Sequence, residues 1–222
     1  MSQAEQLEHG LAALGIALPD AVQARLLAYV ALLYKWNKTY SLTALREQDK
    51  AISHHLLDSL SVLPFVPQGR LLDVGSGGGM PGIPLGIVRP ELRITLLDSN
   101  SKKAAFLQQA VIELGLPNIS VHCGRVEQYH PAEGFDAITS RAFAELADFV
   151  GLSQHLLVPD GCWLAMKGQW PHDEIARLPE SVRVEAVHRL HVPGIDGERH
   201  LVVVKRADEH VEKRLDERSG RN

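Results

Sequence analysis

The chain has 222 residues, 45% of them apolar, 23% charged and 5% aromatic, with 23 Lys+Arg against 27 Asp+Glu for a formal charge of −4. That length buries a substantial core in one domain, and that composition excludes a disordered polymer, a collagen-like repeat and a small disulfide scaffold. The acidic balance excludes capture of nucleic acid by bulk charge, although net charge averages over faces that point different ways. Two cysteines, Cys123 and Cys162, form no zinc-ligand spacing and fit a reducing compartment. Residues 1–15 hold Glu5, Glu8 and His9 with no basic n-region, so no signal peptide is expected. The longest apolar runs, such as 201–204, are far too short to cross a bilayer, and a cytoplasmic protein is expected.

In chain order, apolar residues first recur at helical spacing at Leu7, Leu11 and Leu14. They do so again at Val22, Leu26, Val30 and Leu33, with Pro19-Asp20 opening the run. A third run from Glu47 through Ile52, Leu56, Leu57, Leu60 and Leu63 predicts a helix that stops before Pro64. Residues 1–68 therefore read as an N-terminal helical section. From Gly69 the texture changes to β-type runs at 70–74, 93–98, 119–123, 135–139 and 162–166. Helical stretches at 81–88, 102–114, 144–157 and 172–177 separate them, which indicates βαβ units and a mostly parallel sheet. Residues 182–191 and 200–205, joined by Pro193-Gly194-Ile195-Asp196-Gly197, predict a closing antiparallel hairpin. The expected class is α/β, with the strand complement of a Rossmann-like, S-adenosylmethionine-dependent methyltransferase domain over residues 69–206. Residues 207–222 carry charges of both signs and read as a solvated tail.

The strongest chemical signal is the run Leu71-Leu72-Asp73-Val74-Gly75-Ser76-Gly77-Gly78-Gly79-Met80-Pro81-Gly82, an apolar strand entering glycines with a helix pattern behind it. Glycines there permit positive φ and let a ligand approach the backbone at the carboxyl end of the first strand. A dinucleotide-binding GxGxxG fails from Gly75, because Met80 holds the third glycine position. From Gly77 it fits through Gly82, but Pro81 and Pro84 then occupy the start of the close-packed helix. Asp73 inside the motif suits a cationic methionine amine, reached directly or through water, better than a pyrophosphate. Asp98 ends the second strand about 20 residues beyond the glycines, where an acid accepts hydrogen bonds from ribose hydroxyls. Gly124-Arg125-Val126-Glu127, after the third strand, offers a backbone amide and an acid to an adenine edge.

These residues sit within a wider series: Lys35-Trp36-Asn37-Lys38, Ser41-Leu42-Thr43, His55-Leu56-Leu57-Asp58-Ser59, Leu97-Asp98-Ser99 with Lys102-Lys103, Ser140-Arg141-Ala142-Phe143, Lys167-Gly168, and Val192-Pro193 leading to Glu198-Arg199-His200-Leu201-Val202. From about residue 33 to 206 the chain resembles the bacterial 16S ribosomal RNA guanine-N7 methyltransferases, the glucose-inhibited division protein B family. The resemblance implies an S-adenosylmethionine-dependent enzyme acting on a guanine of the small-subunit rRNA near the decoding region. It implies cofactor contacts at Gly75, Met80, Val126, Glu127 and Arg141, beside Gly77 and Asp98 of the loop reading. It makes Arg125, Arg141 and Arg199 the carriers of catalysis and RNA handling, with Asn37, His55, Lys167 and His200 on the RNA side.

Guanine N7 is already a lone-pair nucleophile, so its methylation needs orientation and no general base. During transfer N7 must be free, so an arginine should bond O6 or a phosphate, which makes Arg141 an orienting residue. The segment at Ser140-Arg141-Ala142 lacks the Asn-Pro-Pro-Tyr type of sequence that grips an exocyclic amine, which argues against adenine-N6 chemistry. Taken alone, His55 reads better as a buried or capping histidine, and Lys102 and Lys103 read equally as a solvated helix face or phosphate contacts. His188 and His191 fall on opposite faces of an extended run, so no metal is expected. Nothing demands a dimer. The N-terminal helices are expected to cap the substrate side. Three other readings compete: a small-molecule methyltransferase, disfavoured by the scarcity of aromatic residues for an apolar pocket; a non-catalytic ribosome- or RNA-binding module with a nucleoside pocket; and an NAD oxidoreductase, which S-adenosylhomocysteine binding without NADH binding would exclude.

Overall fold

A computed structural model describes residues 1–45, 47–141 and 144–207. The Ala142-Phe143 part of the motif series and all but the first residue of the charged tail lie outside the described residues. Helix α1 (Gln3–Ala13) opens on a capping box in which Ser2 Oγ accepts from Glu5 N and Glu5 Oε2 accepts from Ser2 N. Helix α2 (Asp20–Tyr40) buries Leu26, Tyr29, Val30 and Leu33, the i, i+3, i+4, i+7 stripe of the sequence, and ends on Ser41 at φ 51°.

The third helix differs from the expected plain α-helix. It runs as a 3-10 turn at Gln48–Lys50, a π-helical stretch at Ile52–Leu57 and α3 at Asp58–Leu60. The Asp58 amide donates to Ser53 O, an i→i−5 bond. This wider turn leaves almost no outer face: Ile52, Leu56, Leu57 and Leu60 are buried, and so are His55, Asp58 and Ser59. The helix stops before Pro64, which lies in a separate 3-10 turn, Leu63–Phe65, where its missing N–H is harmless.

Seven strands follow: β1 (Arg70–Val74), β2 (Arg93–Asp98), β3 (Ile119–Cys123), β4 (Phe135–Arg141), β5 (Leu157–Lys167), β6 (Val182–Arg189) and β7 (His200–Arg206). They form one sheet in the order β3-β2-β1-β4-β5-β7-β6, parallel through β5, with β7 antiparallel to both its neighbours. The expected mostly parallel sheet with a terminal antiparallel hairpin is the one observed. The intervening helices are α4 (Gly82–Val88), α5 (Ser101–Glu113), α6 (Leu146–Ser153) and α7 (His172–Ala176). The one large boundary difference is at β5, which begins at Leu157 and so absorbs the end of the expected 144–157 helix. Pro159-Asp160-Gly161 hides that first half from a pattern search, and the β4–β5 register shifts opposite it.

Two buried clusters line the two faces of the sheet. The larger one joins Leu26, Leu33 and Leu56 of the helical section to Leu71, Ile83, Leu96 and Phe106 of the α/β part. The N-terminal helices thus add a layer over α4 and α5. Tyr29 Oη donates to Gly78 O at 2.6 Å, fastening α2 directly to the glycine loop.

Candidate active site

The glycine loop leaves β1 with Gly75, Gly77 and Gly79 all at positive φ, 69°, 56° and 92°. The amides of Gly75 and Ser76 donate to Leu97 O, holding the loop against β2. A Cβ at Gly79 would lie 2.5 Å from Ile83 Cδ1, so both φ and packing require glycine there. Beside this loop, at the carboxyl ends of β1, β2 and β3, opens a cavity of about 320 Å³ lined by Gly75, Asp98, Ser99, Lys103, Val126 and Glu127 among others. Its position is the one where open α/β sheets bind ligands, and its size suits a nucleoside-sized molecule.

Asp98 is buried, with Oδ2 accepting from Gly77 N and Oδ1 from Asn100 N, each at 2.8 Å. Two backbone amides therefore fix the carboxylate, and each oxygen keeps a lone pair for a hydroxyl. Asp73 is fully buried, and its Oδ2 accepts from Gly82 N at 2.9 Å while Oδ1 has no partner. Burial pushes its pKa up to about 7. An unpartnered buried acceptor asks for a donor, and the ammonium of an amino-acid moiety is one. The residues present fit S-adenosylmethionine: Asp98 keeps lone pairs for hydroxyls, the glycines admit close approach, Val126 and Glu127 line the cavity, and Asp73 Oδ1 lacks a donor.

A second group assembles where β4 ends. Asp58 is buried, and its carboxylate accepts from Arg141 Nη1 through Oδ2 and from Arg199 Nε through Oδ1, both at 3.1 Å. Arg141 also donates to His54 O at 2.9 Å and, through Nη2, to the Met80 sulfur at 3.2 Å. One carboxylate thus holds two guanidiniums from β4 and from the loop before β7, leaving one net positive charge. Sheet register explains the convergence: Arg141 lies beside Met166, and the next residue of β5, Lys167, lies beside His200, which follows Arg199.

The remaining expected residues divide clearly. Lys167 Nζ donates to Ala144 O at 2.9 Å and to Glu174 Oε2 at 2.7 Å. His200 is buried, with Nδ1 bonded to Gly168 O at 2.7 Å. Asn37 Oδ1 accepts from Thr43 N at 2.9 Å, closing the turn after α2. His55 is buried with neither ring nitrogen partnered, and burial, aided by Arg141, lowers its pKa to about 4, so it is neutral. Arg125 is not brought to the Asp58 group: its side chain is 70% exposed at the rim of the cavity, 3.7 Å from Glu127. Met80 is buried under the loop, meeting Arg141 and not the cavity. What the sequence did not single out is Asp58 as the common partner of two arginines, and Tyr29. The signal for Asp58 was only its place in a helical motif series; the π turn that aims it is not a periodicity. Among the described residues no group of three His, Cys, Asp or Glu side chains gathers where a metal could sit, and no helix is long and apolar enough to cross a membrane.

A mostly parallel sheet of this strand order with β7 antiparallel, a glycine loop after β1 and an acid ending β2 together define an S-adenosylmethionine-dependent methyltransferase of Rossmann-like fold. Solved structures agree on the fold: a SAM-dependent methyltransferase from Aquifex aeolicus superposes with TM-score 0.54 at 17% identity, covering 78% of this chain and 97% of that one. The mitomycin 7-O-methyltransferase superposes with TM-score 0.59 at 19% identity, covering 92% and 67%. The family model described as rRNA small subunit methyltransferase G matches residues 22–202, and the chain belongs to that family. Proteins named ribosomal RNA small subunit methyltransferase G are 58% identical in Neisseria meningitidis serogroup C, over 93% of this chain and 100% of the relative, and 56% identical in Laribacter hongkongensis, over 91% and 98%.

Proposed function

We propose that this enzyme transfers the methyl group of S-adenosylmethionine to N7 of one guanine in 16S rRNA, acting in the bacterial cytoplasm as a monomer and without a metal. The observation that carries the reading is the Arg141–Asp58–Arg199 group standing beside the glycine loop, in a chain of this family. S-adenosylmethionine, when bound, supplies an electrophilic methyl group on a sulfonium centre. Gly75, Gly77, Asp98, Val126 and Glu127 hold its adenosine part, and Asp73 receives its ammonium directly or through water.

Guanine N7 needs no proton removed, so the task left to the chain is positional, and alignment of this kind lowers a barrier by up to about 7–11 kcal/mol. Arg141 and Arg199 present N–H donors on a partly solvated surface, with side-chain exposures of 24% and 28%. Donation to guanine O6 or a flanking phosphate fixes the base while N7 stays free. Asp58 does not touch the base in this scheme; it is a positioning residue that locks both guanidiniums in one geometry. Lys167 and His200 brace the floor beneath them through Glu174 and Gly168. Arg125, at the adenosine rim, is assigned to RNA handling and not to the transfer step.

The reading is tested by incubating the protein with labelled S-adenosylmethionine and either deproteinised 16S rRNA or 30S particles, then digesting the RNA to nucleosides. Label in 7-methylguanosine is expected; label absent from that nucleoside, in protein that binds S-adenosylhomocysteine, would contradict it.

A further inference from the structure

Among the described residues many cations have a carboxylate: Lys50, Arg70, Arg189 and Lys205, for instance, sit in ion pairs. Lys35 and Lys38, on the last turns of α2, and Lys102 and Lys103, on the first turn of α5, do not: among the described residues none of them has an acidic partner. The fold packs the two helices that carry them against each other. Trp36 packs on Phe106 with ring centroids 5.8 Å apart, and Phe106 lies one turn beyond Lys102 and Lys103 on the same face of α5. Tyr40 stacks on the other side of this tier, 5.2 Å from Trp36 and 30° from parallel, and is 39% exposed.

Both helices also border the candidate active site. Lys103 lines the cofactor cavity, and α2 is bonded to the glycine loop through Tyr29. From Tyr29 to Tyr40 is about 16 Å along the helix. Unneutralised lysines clustered on a chain of net charge −4 repel one another until an anion arrives. An acidic protein would satisfy the lysines, but it has no particular use for a propped, open tyrosine face. A nucleic acid uses both, with phosphates on the ammonium groups and an unstacked base on the ring.

We propose that Lys35, Lys38, Lys102 and Lys103, with the Tyr40 ring held by Trp36, form a docking surface for single-stranded or loop RNA flanking the target guanine. The proposal deepens the rRNA methyltransferase reading and rests on it. The lysines set the strength and salt dependence of docking; the tyrosine adds a salt-independent stacking contact.

The test is filter binding of deproteinised 16S rRNA, and in parallel of intact 30S particles, by the full chain at salt concentrations from about 50 to 200 mM. The triple variant K35A/K38A/K102A, with Lys103 left intact, should weaken binding and make the slope of log affinity against log salt shallower by roughly 2–3. Tyr40→Ala should weaken binding roughly tenfold at every salt with the slope unchanged, and Tyr40→Phe should restore it. Calorimetric affinity for S-adenosylhomocysteine, unchanged in all three variants, certifies the fold. An unchanged slope and affinity in the triple variant overturns the surface, as does binding lost only for intact particles and not for naked RNA, which would mark a protein partner. Wild-type protein that docks with the expected slope yet makes no 7-methylguanosine keeps the surface and removes the methyltransferase reading.

Discussion

Asp58 concentrates the site's electrostatics in one side chain. It is buried, it bonds two arginines, and neither of those has another carboxylate among the described residues. Replacing it with asparagine leaves the shape and removes the charge that orients both guanidiniums. Asp58→Asn should lower kcat by about a hundredfold, the scale of a misplaced catalytic group, with affinity for S-adenosylhomocysteine unchanged. In a cycle on the Arg141→Ala/Arg199→Ala background, adding Asp58→Asn should slow transfer hardly further, because Asp58 acts through those two arginines. Additive losses in single-turnover rate would instead assign Asp58 a purely structural role. Arg141 and Arg199 were legible as separate motif residues, each at a strand end. Their common carboxylate was not, since residues 83 and 141 positions apart in the chain share no pattern.

Among the elements, β1 and β2 were legible to the residue, because a buried parallel strand is a short apolar run bounded by glycine or polar turns, and so was the half-exposed edge strand β3, whose Ile119 and Val121 alternate with polar residues. The first half of β5 was not, because Pro159-Asp160-Gly161 reads as a turn while the register shift against β4 accommodates it. The third helix shows the opposite case. Its existence and its end before Pro64 followed from spacing, yet its π turn did not: apolar residues at i, i+4, i+5 and i+8 satisfy an α and a π winding nearly alike. That turn matters for function, since Asp58 follows it immediately. Lys102 and Lys103 were equally readable as solvent-facing, and it is the packing of α2 on α5, with Trp36 against Phe106, that sets their helix beside that of Lys35 and Lys38.

For the whole molecule, two buried titrating groups oppose each other. Asp73 has its pKa raised to about 7 by burial, so the folded chain holds a proton there that the unfolded chain has released. Its contribution to stability is full below about pH 4 and is lost as pH rises toward 7. His55 is lowered to about 4, so the unfolded chain takes up the extra proton, and stability falls as pH drops from about 6.5 to 4. Across that window the two slopes offset each other. Asp73→Asn removes one of them. Urea unfolding of the cofactor-free protein should therefore show the variant gaining on wild type as pH rises from about 4 to 7, by up to about 1.4 kcal/mol per pH unit, and levelling above 7. A pH-independent difference would show that Asp73 titrates normally in the fold.

The central claim is that the enzyme works by orientation: an N7 lone pair is aligned by two arginines on one aspartate, and no side chain removes a proton. The most direct measurement is the single-turnover rate of methyl transfer to 16S rRNA at saturating cofactor, followed across roughly pH 6 to 9. The account predicts a rate that stays flat over that range in wild type, and flat at a lower level in Asp58→Asn. A rate rising tenfold per pH unit to a plateau would reveal a general base and contradict it.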